Sequence, residues 1–144
     1  MACTLSTIVA ASEKAGLSPY DKSISDAEAL DIAEATFRYQ FQNNASAAQQ
    51  QATAYLLTLF KKDPSPEFLQ RFEGHKPPVK RGSEFNVGSG LSFRVDMIRR
   101  IDETKVEVSG GYYEGVKSSS GNTYFVEKKN GTWVVTGDEM HWIS

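Results

Sequence analysis

From Leu91 to Met97 the chain alternates apolar and polar residues without a break, Leu91, Phe93, Val95 and Met97 against Ser92, Arg94 and Asp96. Only a strand sends successive side chains to opposite faces, so this stretch belongs in a sheet with one face against a core. After Met97 the apolar phase slips to Ile98, which is how a β-bulge shows in sequence, and a bulge bends a sheet around what it covers. Downstream the pattern recurs. Asp102-Glu103 turns the chain into Val106, Val108, Gly110 and Tyr112, and Tyr124 and Val126 open a further strand. Asn130-Gly131, the strongest two-residue hairpin signal, returns the chain through Trp133 and Val135. Gly110-Gly111 in mid-strand implies a kink or a close backbone approach. Everything from Ser83 therefore reads as consecutive antiparallel strands, beginning with Phe85 and Val87 before a Gly88-Ser89-Gly90 turn, and with 118–121 as a loop.

Ahead of the sheet the period changes. Ser25 followed by Glu28 makes a capping box, and Leu30, Ala33, Phe37 and Phe41 then recur at helical spacing, with Ala29 and Ile32 widening the stripe. Asn43-Asn44 stops the pattern, which predicts a helix over 26–43 with Asp31, Glu34, Arg38 and Gln42 solvated. Residues 45–52 are small and Gln-rich and read as a linker or a further helical turn; the apolar run 55–60 reads as a strand ended by Lys61-Lys62-Asp63-Pro64. Ser65 can cap and Pro66 can open a short helix over 66–73, with Phe68, Leu69 and Phe72 on its apolar side and Gly74 as its stop. Pro77-Pro78 enforces an extended connector. The expected organisation is a flexible arm over 1–25 and one α+β domain over 26–144. In that domain a long helix and a short second helix pack on a curved, mostly antiparallel sheet of four to six strands, a cone-shaped roll.

At 144 residues and 40% apolar content the chain can bury one core, and its net charge of −2 lacks the basic footprint of a nucleic-acid binder. No nucleic-acid partner and no membrane span are expected. Residues 61–105 hold ten Lys or Arg against seven acids, so His75, Lys76, Lys80, Arg81, Arg94, Arg99 and Arg100 are a candidate patch for an anion, or a solvated strand face. Cys3 is the only cysteine, which excludes an intrachain disulfide and a thiolate zinc site. A cytoplasmic location is favoured; the alternative is an envelope lipoprotein anchored at Cys3, because Ala2-Cys3 has the form that a trimmed lipoprotein signal leaves.

The element order over 26–143 resembles the cystatin-like folds, in particular the cone-shaped nuclear transport factor 2-like superfamily. The helix Phe37-Arg38-Tyr39-Gln40-Phe41, the segment 64–72 and the closing Gly131-Thr132-Trp133-Val134-Val135 are similar to small bacterial proteins. This resemblance implies a helix–sheet cavity that holds a ligand in some members and is plugged in others. Enzymes of the superfamily place an acidic or Asp-His pair inward. Here the strands supply Asp96, Glu107, Glu114 and Glu127, mostly at positions whose neighbours point inward, which argues against catalysis.

Residue by residue, the chemistry is thin. A Gly-x-Ser-x-Gly nucleophile elbow is missing, and neither glycine cluster precedes a helix as a phosphate loop must. Two histidines 66 positions apart make a poor metal set, and no metal or cofactor is expected. His75 and Asp96 are the candidate bases, with Asp138, Glu139 and His141 as a further acid/base group, because imidazole titrates near neutrality and a nearby carboxylate can orient it. Adjacent Tyr112 and Tyr113 must point to opposite faces. Arg38, Arg71, Tyr112 and Tyr124 are the candidate pocket or rim residues, with an Arg71–Glu67 ion pair as the structural alternative for Arg71. An outer aromatic near Tyr124 or Trp142 would mark a homodimer interface on the outer sheet face. The reading is a non-enzymatic module that binds a small ligand or a protein partner; the alternative is a small hydrolase or isomerase using the same cavity.

Overall fold

Ser25 and Ser65 start the two helices for the same reason: each hydroxyl oxygen accepts a backbone N–H three residues on, from Glu28 and from Phe68, both at 3.1 Å. The computed structural model describes residues 18–43, 52–85, 90–115 and 118–143. Helix α1 spans Asp26–Gln42 and buries Ala29, Ile32, Ala33, Phe37 and Phe41, the stripe that helical spacing requires. Asn43 caps its end, the side-chain amide donating to the Tyr39 carbonyl at 3.0 Å. Only half of the expected capping box forms. The Glu28 carboxylate pairs instead with Arg100 at 3.3 Å and Lys128 at 3.5 Å, because two cations on the sheet outcompete the cap amide for it.

Helix α2 is a single turn, Pro66–Gln70, shorter than the expected 66–73; non-helical turns carry the chain on to Gly74, whose φ of 84° needs no Cβ. Arg71, which follows it, pairs not with Glu67 but with Asp31 at 2.9 Å and Glu34 at 3.1 Å on α1. Its guanidinium reaches across to the longer helix, where two carboxylates converge.

Six strands form one sheet in the order β2-β1-β3-β4-β5-β6. They span Tyr55–Leu59 (β1), Val79–Arg81 (β2), Leu91–Asp102 (β3), Lys105–Gly115 (β4), Ser118–Lys129 (β5) and Thr132–Ile143 (β6). β3 to β6 are the expected antiparallel meander. β1 is inserted between β2 and β3 and runs parallel to both, so the sheet is mixed. A 3₁₀ turn over Gly82–Glu84 precedes Phe85, which lies in no strand, and β3 starts only at Leu91. Val87, Gly88 and Ser89 lie outside the described residues.

The bulge in β3 falls one residue earlier than expected: the register skips from Val95 to Met97, leaving Asp96 as the extra residue. The expected loop at 118–121 is the start of β5, with Ser119 and Ser120 buried. Gly110-Gly111 is a close approach, since a Cβ on either would run into the carbonyl oxygen of Arg94 or of Ser120. Asn130 and Gly131 have φ of 53° and 80°, the pair of left-handed residues that this hairpin type demands.

The core lies between α1 and one face of β1 and β3–β6, with α2 and the turn after it closing one end through Phe68 and Phe72. Of the expected arm, 1–17, and Cys3 with it, lies outside the described residues; 18–25 is packed onto the domain. Tyr20 bridges to Ile98, Ile98 N–H donates to the Pro19 carbonyl at 2.7 Å, and Ile24 is buried. No helix among the described residues is long and apolar enough to cross a membrane.

Candidate functional site

The two faces of the sheet differ in what they can do. Under α1 the space is occupied: Phe37, Phe41, Tyr112 and Trp133 are all buried, and Phe37, Phe68, Phe72, Phe41, Tyr55 and Phe93 form a continuous edge-on and tilted aromatic cluster with centroids 4.9 to 6.4 Å apart. A gap of about 10 Å³ remains beside Gln40, Ser120, Asn122 and Tyr124, the threshold for one water molecule.

A polar chain borders that gap. The Asp138 carboxylate accepts from the Tyr39 hydroxyl at 2.7 Å and from the Asn122 amide at 2.9 Å, and Asn122 Oδ1 accepts from the Ser120 hydroxyl at 2.7 Å. Gln40 Nε2 donates to the Arg94 carbonyl at 2.9 Å and, at 3.4 Å, to the Gly111 carbonyl. Burial pushes the Tyr124 phenol up to about 12. Tyr39 also rises to about 12, through burial first and then through its hydrogen bond to Asp138.

The sequence-derived residues separate into distant groups. Tyr112 and Tyr124 lie together in the core beside the gap. Arg38 and Arg71 lie together elsewhere, between α1 and α2: Arg38 bonds Glu34 at 2.9 Å and the Arg71 carbonyl at 2.7 Å, and stacks 4.7 Å from the Phe72 centroid. His75 follows α2, its Nδ1 2.9 Å from the Pro77 carbonyl and its ring against Phe41 and Tyr55. Asp96 occupies the β3 bulge, where it accepts from Arg94 Nε at 2.9 Å. Of the terminal acid/base group, Asp138 joins the inner chain, while His141 faces away, 2.7 Å from the Thr123 hydroxyl and 3.8 Å from Glu139.

Nor does the basic middle of the chain gather into a patch: Arg81, Arg94, Arg99 and Arg100 each meet a carboxylate. Among the described residues no three metal-ligating side chains come together.

The outer face is built differently. Arg94 on β3 is paired in register with Gly111 on β4, and Gly121 on β5 with Trp142 on β6. The two glycines open a trough across the sheet, so that the indole lies directly over Gly121 and the Arg94 guanidinium comes within 5.9 Å of the Trp142 ring. Asp96 fixes that guanidinium from behind. No protein-family model, curated protein or solved structure matches this chain. Its surface chemistry is therefore what speaks to function. Beside the stack, Tyr113 is packed against Phe85 at 5.4 Å and remains 37% exposed, and Trp142 is 50% exposed. Met97 and Ile101 on β3 and Val134 on β6 leave further apolar surface on these strands. Trp142 and Tyr113 stand out in the sequence, but Arg94 as their neighbour does not, because only the register of four strands brings it there.

Proposed function

We propose that this chain is a non-enzymatic interaction module, a cone-shaped roll of the nuclear transport factor 2-like kind that pairs with a second copy of itself through the outer face of its sheet. The observation that carries the reading is the Arg94–Trp142 stack with Tyr113 beside it. Trp, Tyr and Arg are the residues that dominate binding energy at protein interfaces, and here they stand half-exposed on an oriented, hydrogen-bonded platform. The choice of a second copy follows from charge. Arg94 with Asp96 and Arg99 with Glu107 compensate one another within the face, so at these positions two copies related by a two-fold axis meet without like-charge repulsion. Bulges in β3 and β6 supply the bending that a roll around α1 needs. The aromatic filling beneath the middle of α1, where a gap of only about 10 Å³ remains, favours a protein partner over a small ligand held at that point.

The alternative, a small hydrolase or isomerase, draws on the meeting of Asp138, Tyr39 and Tyr124. General acid–base work wants a group poised near the operating pH, and both phenols are pushed the other way, to about 12.

Sedimentation or light scattering on the full chain tests the proposal. The expected particle is twice 15.9 kDa at about 100 μM, and Trp142→Glu or Met97→Glu returns it to 15.9 kDa with an unchanged circular dichroism spectrum. A wild-type chain that stays at 15.9 kDa, or charge substitutions that leave the dimer intact, would overturn it.

A further inference from the structure

At the C-terminal end of α1, away from both the inner gap and the outer face, lies a pocket of about 270 Å³ lined by Arg38, Phe41, Gln42, Tyr55, His75 and Lys76. Three elements contribute: α1 gives Arg38, Phe41 and Gln42, β1 gives Tyr55, and the turn after α2 gives His75 and Lys76. Its apolar part is a triangle of rings, Phe41 to Tyr55 at 4.9 Å, Phe41 to His75 at 5.0 Å and Tyr55 to His75 at 5.5 Å. Its rim is cationic, and none of the described residues that line it is acidic.

We propose that this pocket binds a small organic carboxylate. The carboxylate sits between Arg38, Lys76 and His75, and its apolar body covers Phe41 and Tyr55. The Arg38 guanidinium is already oriented by Glu34, by the Arg71 carbonyl and by the Phe72 ring, which together commit only two of its five N–H donors. A pre-positioned guanidinium favours a planar carboxylate, which it can meet with two parallel hydrogen bonds. Among the described residues Lys76 forms no ion pair, so its charge is available. Phe41 and Tyr55 are each 5% exposed, so the floor offers the edges of two rings and the half-buried His75 imidazole; an apolar body covers these and a bare inorganic anion does not.

The Pro77 carbonyl can only accept, so His75 Nδ1 donates in their 2.9 Å bond, which fixes the ring against Phe41 and Tyr55. Among the described residues that line the pocket, the charged groups are Arg38 from α1 and Lys76 from the turn that carries His75.

The test is a titration of the isotope-labelled full chain, followed by amide shifts, with benzoate, with its neutral analogue benzamide and with inorganic phosphate. Benzoate should give saturable shifts centred on Gln42, Tyr55, His75 and Lys76, with benzamide and phosphate each about tenfold weaker or more, the loss of roughly one charge-assisted contact. Lys76→Glu, an exposed turn substitution whose spectrum reports its own folding, should weaken benzoate about tenfold. Shifts that do not saturate or that map elsewhere overturn the proposal. Equal binding of benzamide would overturn the anionic class, and equal binding of phosphate the organic one.

Discussion

Two phenols show how burial and one carboxylate act at the scale of single residues. Tyr39 and Tyr124 stand edge to face 5.9 Å apart beside Asp138, and both hold their protons up to about 12. Each gives up its proton in the unfolded chain near 10, so above that pH the unfolded state binds fewer protons than the folded one, and stability must fall as pH rises from about 10 to about 12. Urea midpoints measured across that interval should decline, and the decline should shrink in Tyr39→Phe. Asp138→Asn should lower the Tyr39 midpoint in an ultraviolet absorbance titration, since the carboxylate both accepts the phenolic proton and repels the phenolate; an unmoved midpoint would show burial acting alone. Little of this cluster was legible in the sequence. Tyr124 was singled out, and Asp138 entered only as a partner for His141, because the contacts that matter join residues 99 positions apart, as in Tyr39–Asp138, and no local pattern announces them.

Elements were legible to the extent that their causes are local. Ser25, Ser65, Pro66 and the Asn130-Gly131 turn each act within four residues of themselves, and the structure places a cap or a turn at every one. That β1 is a strand is legible but that it is parallel is not, since a five-residue run with four apolar side chains carries no mark of its neighbours' direction. The start of β5 was misread because Ser118-Ser119-Ser120-Gly121 has the composition of a loop, whereas here small side chains are what the crowded neighbours allow. That crowding makes the glycines unequal. Gly110→Ala would drive a methyl group into the Arg94 carbonyl and against the Gln40 amide, whereas a Cβ at Gly137 meets nothing within 4 Å. Chemical denaturation should show a loss of about 2 kcal/mol or more for Gly110→Ala and a change within about 0.5 kcal/mol for Gly137→Ala. Similar losses at the two positions would mean that close packing at Gly110 is not what selects glycine there.

For the whole molecule, the α+β class followed from one helical period giving way to a period of two, but which face would be sealed and which left open did not. That distinction depends on whether Phe37, Phe41, Tyr112 and Trp133 meet, and on Trp142 reaching across three strands to Arg94, both of which are properties of register. The placement of β1 also sets an order of events in time. Each hairpin of β3–β6 closes between segments adjacent in sequence, whereas Tyr55 must find Leu91, 36 positions on by subtraction of their numbers. Loop closure over that distance costs more entropy than a hairpin turn, so the meander should assemble first and β1, carrying α2 and β2 with it, should insert last. What inserts last should also detach first. Native-state hydrogen exchange should then find the Leu57 and Leu59 amides released by openings smaller than those that release Val106, Val108 and Val126. Equal protection would mean that the sheet opens as one unit; unequal protection would make the parallel strand a hinged flap on a sheet that stays folded without it.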